Sequence, residues 1–301
     1  MVVIPDLLQM EEWAQFSKDS IVVDVYFISQ DVLSNLVDFN GGVLLTEKTI
    51  DLFHKVRKAI PLIGESSWNH YVDQLNWTLF DDTLINMYSK ETSVCMEDLV
   101  GSIDERDFET SSLTCKLLIG HALDALLASR HESNPRQKWR LKKARRAFGD
   151  DSWIIKEYLS LQFGGSSDGT EALKYLDETL FYVRKIQFLT FFPNSAQLLD
   201  RINRFSYEKS LLIDRLAICT RFGVEYILHR GKPIMRFSEN VALIFYISIF
   251  SATVRDLFEF CQEYGELTGY SIPDQAVRRT VGSLSKKRIL KADLVDLITD
   301  K

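Results

Sequence analysis

The segment with the most marked chemistry is the run 136–146, RQKWRLKKARR, which holds seven basic side chains and no acidic one. The basic residues are Arg136, Lys138, Arg140, Lys142, Lys143, Arg145 and Arg146. Because the whole chain has a formal charge of -6, the residues outside this run sum to -13. Such a local excess predicts a site for something anionic: a phosphate-bearing nucleotide, a nucleic acid, or an acidic face of the same or a partner protein.

The alternative for this run is a solvated helix face whose cations pair with acids of the same chain, such as those in 97–107. A screened surface pair contributes only ~0–1 kcal/mol, so stability alone is a poor reason to keep seven cations together. Trp139 interrupts the cations, and it either stacks on a nucleic acid base or anchors the helix to the core. Both alternatives stay open at this point.

A second group of basic residues lies near the C-terminus. The pattern predicts a helix over 252–264, a turn over 265–272, and another helix that begins at Pro273 or Asp274. The candidate contacts with nucleic acid on and beyond that second helix are Gln275, Arg278, Arg279, Lys286, Lys287 and Arg288. The arrangement resembles a winged helix-turn-helix, whose second helix enters the major groove. Segment 289–298 lacks the glycine turn of a wing, and such domains also mediate protein contacts.

The composition places the chain among ordinary globular proteins of one or two domains, with 301 residues, 46% hydrophobic and 26% charged. The four cysteines stand singly, without C-x-x-C spacing, and predict free thiols in a reducing compartment. No apolar run approaches the roughly 20 residues that span a bilayer, and no signal peptide pattern opens the chain. We therefore expect a cytoplasmic protein that does not associate with membranes.

The five histidines are far apart and share no ligand spacing, so neither a metal site nor a bound cofactor is expected. Serine lies in no G-x-S-x-G elbow, which leaves hydrolase chemistry unsupported.

The spacing of apolar residues predicts a mainly α fold. A small N-terminal β element at 21–29, with a second short strand at 43–45, precedes two helical modules, and strand content ends near Pro61. The predicted helices cover 47–58, the stretch that begins at 113, the basic run, 171–192, 195–221, and a segment from 238 into 252–264. The Gly-Ser cluster at 164–169 predicts a boundary between domains 1–163 and 170–301, the second ending in the helix-turn-helix-like unit.

Two segments carry a resemblance to a known family. VDVYFI at 23–28 and QKWRLKK at 137–143 resemble the second half of bacterial proteins with a nucleotidyltransferase domain, of the antibiotic-modifying and related types. The resemblance covers about 15–165. It implies that Asp24 is the third carboxylate on the metal side and that Lys138 contacts nucleotide phosphates. The residues alone also allow Asp24 to be a half-exposed acid at a strand edge or the partner of a core arginine.

The chemistry of that family needs a Gly-Ser turn for the triphosphate and two carboxylates, one residue apart, that bind two magnesium ions. The 23 residues before Asp24 contain no glycine. The resemblance therefore implies a non-catalytic interaction or regulatory protein, similar to the accessory half of the family, that binds an anionic partner through the basic helix. We also expect a protein partner or a homo-oligomer. The enzymatic alternative is a divergent or split nucleotidyltransferase, which would use magnesium and a nucleoside triphosphate and take its palm acids from another chain or from upstream sequence.

Overall fold

The computed structural model describes residues 2–4, 13–18, 21–41, 45–61, 64–166 and 168–292. Its contacts divide the chain into two compact units. Unit 1 comprises Met1–Leu84 and His131–Trp139, and unit 2 comprises Ile85–Arg130 and Arg140–Lys301. The Gly-Ser cluster at 164–169, predicted as a domain boundary, lies inside unit 2, where the helices before and after it pack against each other.

Unit 1 begins with a mixed three-stranded sheet. Its strands are β1 (Val2–Ile4), β2 (Trp13–Lys18) and β3 (Ile21–Ser29). The central strand β3 pairs in parallel with β1 and antiparallel with β2. The prediction of a strand over 21–29 is confirmed. The second strand predicted at 43–45 falls mainly outside the described residues, and Leu45 itself has no regular structure.

Three helices follow in unit 1, and a fourth begins there and continues into unit 2. They are α1 (Gln30–Val37), α2 (Glu47–Lys58), α3 (Glu65–Gln74) and α4 (Trp77–Asp104). The predicted helix over 47–58 is confirmed. The Thr46 side chain accepts a hydrogen bond from the Thr49 amide and so caps its N-terminus. Phe53 of α2 is fully buried and stacks on Phe80, with ring centroids 4.2 Å apart.

Unit 2 is built around two long helices that pack against each other, α5 (Phe108–Ala128) and the helix Gly169–Phe191, here α8. The remaining helices are α6 (Arg140–Phe148), α7 (Trp153–Phe163), α9 (Leu199–Arg204), α10 (Glu239–Ile249), α11 (Val254–Thr268) and α12 (Asp274–Lys286). Every residue of α8 from Thr179 to Phe191 is buried. A helix that is apolar on most of its circumference occupies the centre of a bundle, as the aromatic residues of this segment predict.

One described helix, α5, is long and apolar enough to cross a membrane. About 72% of its most apolar window is buried inside the protein. The central helix of a globular protein has the same length and composition.

Unit 2 also contains a second sheet, which corrects the prediction that strand content ends near Pro61. Its strands are β4 (Ile218–Phe222), β5 (Glu225–Arg230) and β6 (Lys232–Phe237), and they pair antiparallel in that order. Gly223 and Gly231 form the two tight turns with φ of +61° and +69°. Left-handed backbone favours glycine, so these two residues separate what would otherwise be one long segment into short strands.

The helix predicted over 195–221 is also wrong. A 3₁₀ segment (Pro193–Leu198), the short helix α9 and a second 3₁₀ turn (Tyr207–Lys209) precede β4. Leu198 and Ile202 of this region are buried, as in an amphipathic helix, but the apolar spacing does not continue in helical register beyond Arg204. The predicted helix from 238 into 252–264 is two helices, α10 and α11, because Thr253 caps a new N-terminus.

Candidate interaction surfaces

The basic run spans the division between the two units, and its first part belongs to unit 1. Residues Gln137–Trp139 form a single 3₁₀ turn. The side chains of Arg136 and Lys138 are exposed, and the Lys138 ammonium lies 5.5 Å from the centre of the Trp139 ring. Because the Trp139 side chain is 41% exposed, a large part of this ring is open to solvent.

The second part of the run is helix α6 in unit 2, and two of its cations point inward. Arg140 donates from Nε and Nη2 to Oδ2 of Asp124 on α5, at 3.0 and 2.7 Å, and Lys143 Nζ lies 3.5 Å from Asp124 Oδ1. Asp124 and Lys143 are buried. These two predicted anion-binding residues are therefore engaged by a carboxylate of the same chain, and that carboxylate lies outside the acidic segment 97–107.

The inward position of Arg140 depends on Gly120 of α5. A Cβ at Gly120 would lie 2.8 Å from Arg140 Nη1, so any larger residue there would require the guanidinium to move. Burial lowers the pKa of Arg140, but the hydrogen bond and the charge of Asp124 outweigh it and hold the pKa above its usual value. The charge of Arg140 is thus neutralised within the protein.

Three other cations of α6, Lys142, Arg145 and Arg146, are exposed. Arg145 Nε lies 3.1 Å from Asp150 Oδ1, and both side chains are largely exposed, so this pair contributes ~0–1 kcal/mol and can exchange for another anion. Helix α6 therefore has an inward face that binds Asp124 and an outward face that remains basic.

The C-terminal helix pair has the predicted arrangement. Helix α11 ends at Gly269, which has a φ of +73°, and α12 begins at Asp274. Val277, Val281 and Leu284 are buried, as the spacing predicts. Five of the six predicted contacts with nucleic acid are exposed, namely Gln275, Arg279, Lys286, Lys287 and Arg288. The sixth, Arg278, is half-buried with its guanidinium 4.9 Å from the Phe258 ring centre.

Two features of this pair differ from a winged helix-turn-helix. The described residues after α12, 287–292, form no wing, since Leu290 makes a single bridge to Leu212, and the sheet β4–β6 precedes the helices. A groove of about 740 Å³ between α11 and α12 is lined by Glu259, Glu266 and Asp274 as well as by two arginines. Carboxylates beside the turn repel DNA phosphates. Binding of DNA by the six residues stays a prediction.

One outer edge of the second sheet is covered. Ile218, Cys219 and Thr220 of β4 are fully buried, and β4 packs against α8. The Tyr246 hydroxyl donates to the Cys219 carbonyl at 2.7 Å, and the Asn86 side chain accepts a hydrogen bond from the Gly223 amide at 3.1 Å. Side chains thus satisfy main-chain groups at this edge that a further strand would otherwise use.

A buried histidine connects this covered edge to α4. His229 Nε2 contacts the Thr220 hydroxyl and lies 3.4 Å from the Ser93 hydroxyl. Burial lowers the pKa of His229 to about 4, so the imidazole is neutral at physiological pH. These contacts connect α4 to the second sheet and have a structural role.

The other outer edge of the sheet, formed by β6, is open. Lys232, Pro233, Ile234 and Arg236 are exposed, with Ile234 39% exposed. Within the described part of the chain, β5 is the single strand that pairs with β6. A β-bulge between Leu228 and His229 shifts the register of that pairing. This edge was not predicted from the sequence. Gly223 and Gly231, which lie eight positions apart between β-branched and aromatic residues, are nevertheless a signal for hairpins.

Asp24 lies in the middle of β3, with Gln15 of β2 as its register partner. Across the described residues, no group of three or more His, Cys, Asp or Glu side chains could hold a metal ion. The role of Asp24 as a metal-side carboxylate stays a prediction. The four cysteines are free and buried.

Comparison with protein families, with curated proteins and with solved structures finds no match for this chain.

Proposed function

We propose that this protein is a non-catalytic interaction protein that binds an extended segment of a partner polypeptide along strand β6. The observation that supports the proposal is the asymmetry of the second sheet, in which β4 is buried and β6 is exposed. An open edge strand presents a row of main-chain donors and acceptors, which is the usual template for the addition of a strand from another chain. The segment would add a fourth strand to the three present.

The charge at this edge defines the chemistry of the segment. Lys232 and Arg236 lie on β6 and Arg230 ends β5, and all three are exposed. Arg236 pairs with Glu225 at 3.2 Å, and both side chains are largely exposed, so this pair exchanges readily. Arg230 is also exposed, but it lies 3.5 Å from Asp214, whose side chain is only 12% exposed. These cations favour a segment that carries carboxylates.

Pairing along β6 is restricted to its second half. Pro233 has no amide hydrogen to donate, and lysine, proline and a bulge are the devices by which edge strands avoid indiscriminate pairing. Residues 234–237 remain available for a short ladder, and the exposed Ile234 offers an apolar contact within it. The edge therefore favours a short partner segment, and it discriminates among partner segments of different sequence.

Two short synthetic peptides test the proposal, one alternating valine with glutamate and one alternating valine with lysine. We expect the acidic peptide to bind more tightly, and the backbone amide NMR signals of 234–237 to shift and to become protected from exchange. Reversal of charge in Lys232→Glu with Arg236→Glu should weaken acidic peptide binding by about tenfold or more.

The matched control variant, Arg204→Glu with Lys209→Glu, reverses the charge of two exposed residues outside the sheet. It should bind the acidic peptide as tightly as the wild type. Equal binding of both peptides without any change at 234–237 would contradict the proposal.

A second candidate function is the binding of an anion, a nucleotide or a nucleic acid, by the outward face of α6. It is favoured by the exposure of Lys142, Arg145 and Arg146 on one short helix, whose inward cations, Arg140 and Lys143, share the single carboxylate of Asp124. Titrations with ATP, with and without Mg²⁺, and with heparin and duplex DNA test it. Lys142→Glu with Arg146→Glu should weaken binding and reduce its salt dependence, whereas Arg255→Glu, an exposed substitution on α11, should not.

A further inference from the structure

We propose that His131 is a nucleophilic histidine that accepts a phosphoryl group on Nε2 from a phosphoramidate donor. The residue lies in unit 1, shortly after the end of α5, and its side chain is 74% exposed. Its Nδ1 lies 2.7 Å from Oδ2 of Asp81 on α4, a residue that is itself buried. A carboxylate placed in this way orients and activates an imidazole. The proposal is independent of the β6 edge, whose residues lie in unit 2.

The carboxylate of Asp81 determines which ring nitrogen carries the hydrogen. A carboxylate has acceptors and no donors, so Nδ1 of His131 must donate in this contact. The neutral imidazole therefore has its free lone pair on Nε2. Among the described residues, Nε2 of His131 has no hydrogen-bond partner, and the exposed ring makes this lone pair accessible to a reagent.

Arg57 of α2 holds the carboxylate in place. Its guanidinium donates from Nη1 to Oδ1 of Asp81 at 2.8 Å and from Nη2 to Oδ2 at 3.0 Å. The guanidinium also lies over the ring of Trp77, with Cζ 4.5 Å from the ring centre. A bidentate pair fixes the plane of a carboxylate. The imidazole of His131 is thus oriented by a fixed, buried group rather than by a mobile surface acid.

The backbone of His131 is held in an unusual conformation. Its φ is +62°, in the left-handed region that residues other than glycine rarely adopt. The His131 carbonyl accepts a hydrogen bond from Arg57 Nη1 at 3.4 Å, while its side chain is bound to Asp81. The same ion pair therefore fixes both the backbone and the ring. Backbone conformations that only the surroundings maintain are concentrated at functional sites.

Lys58 supplies a cation for the transferred group. Its side chain is 47% exposed, and its ammonium lies 3.8 Å from Oε1 of Glu132, beyond hydrogen-bond distance. Glu132 follows His131 in the chain, so this ammonium is close to the proposed acceptor. A lysine ammonium binds phosphoryl oxygens as a point charge. The position of Lys58 therefore favours a phosphoryl group over an uncharged acyl group.

The step needs no further reactant. The Nε2 lone pair of His131 attacks phosphorus, a P–N bond forms, and the P–N bond of the donor breaks. When the donor is phosphoramidate in its H₃N⁺–PO₃²⁻ form, ammonia leaves with the hydrogens that it already carries. The ring becomes an imidazolium that keeps its hydrogen on Nδ1, and the carboxylate of Asp81 stabilises the positive charge. Nothing is oxidised or reduced.

The test incubates the full chain with potassium phosphoramidate in mildly alkaline buffer and locates the phosphoryl group by phosphorus NMR and peptide mass spectrometry. The comparison within unit 1 is His70, which is also exposed but whose hydrogen-bond partner is the Gln74 amide, at 2.9 Å. We expect His131 to be phosphorylated on Nε2 at least about tenfold faster than His70, because its hydrogen bond to Asp81 becomes charge-assisted.

The variants locate the modification. His131→Gln should lose the fast signal, and the control His70→Gln should keep it. Asp81→Asn keeps the shape of the side chain and removes its charge, so the rate at His131 should fall by about tenfold while the rate at His70 stays the same. Thermal unfolding checks that this variant is folded, since Arg57 loses its charged partner.

Nitrogen NMR of the wild-type imidazole gives a measurement that needs no variant. We expect a hydrogen on Nδ1 of His131 and none on Nε2 in the neutral ring. A hydrogen on Nε2 instead, equal or absent phosphorylation at His131 and His70, or an unchanged rate at His131 in a folded Asp81→Asn variant would each overturn the proposal.

Discussion

The two outer strands of the second sheet, β4 and β6, have similar lengths, 5 and 6 residues, but opposite surroundings. Helix α8 packs on β4, and Tyr246 and Asn86 satisfy main-chain groups at its edge. Strand β6 instead exposes four of its six residues. One edge of the sheet is thus buried and contributes to stability, whereas the other is exposed, as the proposed pairing with a partner strand requires.

The same division occurs along helix α6. Arg140 and Lys143 bind the buried carboxylate of Asp124, whereas Arg145 and Arg146 remain exposed. A buried ion pair contributes strongly only when both partners are present, because removal of one leaves the other charge without compensation. The buried charges of α6 thus stabilise the fold, and its exposed charges are accessible to solvent.

The largest effect on stability is expected at the covered edge, from Tyr246→Ala. Tyr246 is fully buried among Phe188, Phe191 and Phe245, and its loss would leave a cavity and an unpaired carbonyl at Cys219. We expect a loss of ~3–5 kcal/mol in the free energy of unfolding, measured by denaturant titration.

Tyr246→Phe keeps the ring and removes the hydroxyl alone, so a loss of ~1–2 kcal/mol is expected. If both variants were as stable as the wild type, neither the packing of Tyr246 nor its hydrogen bond to Cys219 would stabilise β4.

The pH dependence of stability tests the buried histidine of the covered edge. The pKa of His229 is about 4 in the folded protein and near the ordinary value of 6.5 in the unfolded chain. Both states are neutral above pH 6.5, and below it the unfolded state takes up a proton first. Stability therefore falls as the pH decreases from 6.5 to 4, by roughly 3 kcal/mol from this group.

The measurement is the free energy of unfolding against pH for the wild type and for His229→Gln. The slope between pH 6.5 and 4 should be smaller in the variant, by about one proton per molecule. Identical slopes would show that His229 does not titrate in this window.

A smaller loss is expected from Gly231→Ala, at the turn that leads into the open strand. Gly231 has a φ of +69°, and an added Cβ would lie 3.0 Å from Val100 Cβ. Backbone strain and crowding together should cost ~1–3 kcal/mol. The matched control is Gly223→Ala, which has a φ of +61° but no atom within 4 Å of the added Cβ, so strain alone should cost ~1 kcal/mol.

The smallest effect on stability is expected at the open edge. Ile234→Thr replaces a 39% exposed apolar side chain with a polar, β-branched one, and it should change the free energy of unfolding by less than ~0.5 kcal/mol. The same variant should weaken binding of the acidic peptide, because it removes the apolar contact of the ladder. A loss as large as that of Tyr246→Ala would mean that β6 also serves stability.

Much of the fold could be predicted from local pattern. The strand over 21–29 consists mainly of β-branched and aromatic residues, and the helix over 47–58 has a threonine cap and a following proline. The buried face of α12 follows from the spacing of Val277, Val281 and Leu284. These features depend on residues within a few positions of each other, so periodicity and capping suffice to identify them.

The strands β4–β6 were missed because their glycine turns lie between short apolar segments that also fit a helix. A cavity beside Asp177 could not be predicted either. Its lining comes from α7, α8 and 203–208, which only the fold brings together.

The amino-acid sequence by itself determined the mainly helical class, the strand over 21–29 and several of the helices, and it concentrated seven cations in one run. Only the tertiary structure decided that Arg140 and Lys143 are directed to Asp124, that β4 is covered and that β6 is open. The physical reason is that local preference depends on neighbours in sequence, whereas burial and charge compensation depend on residues brought together by the fold.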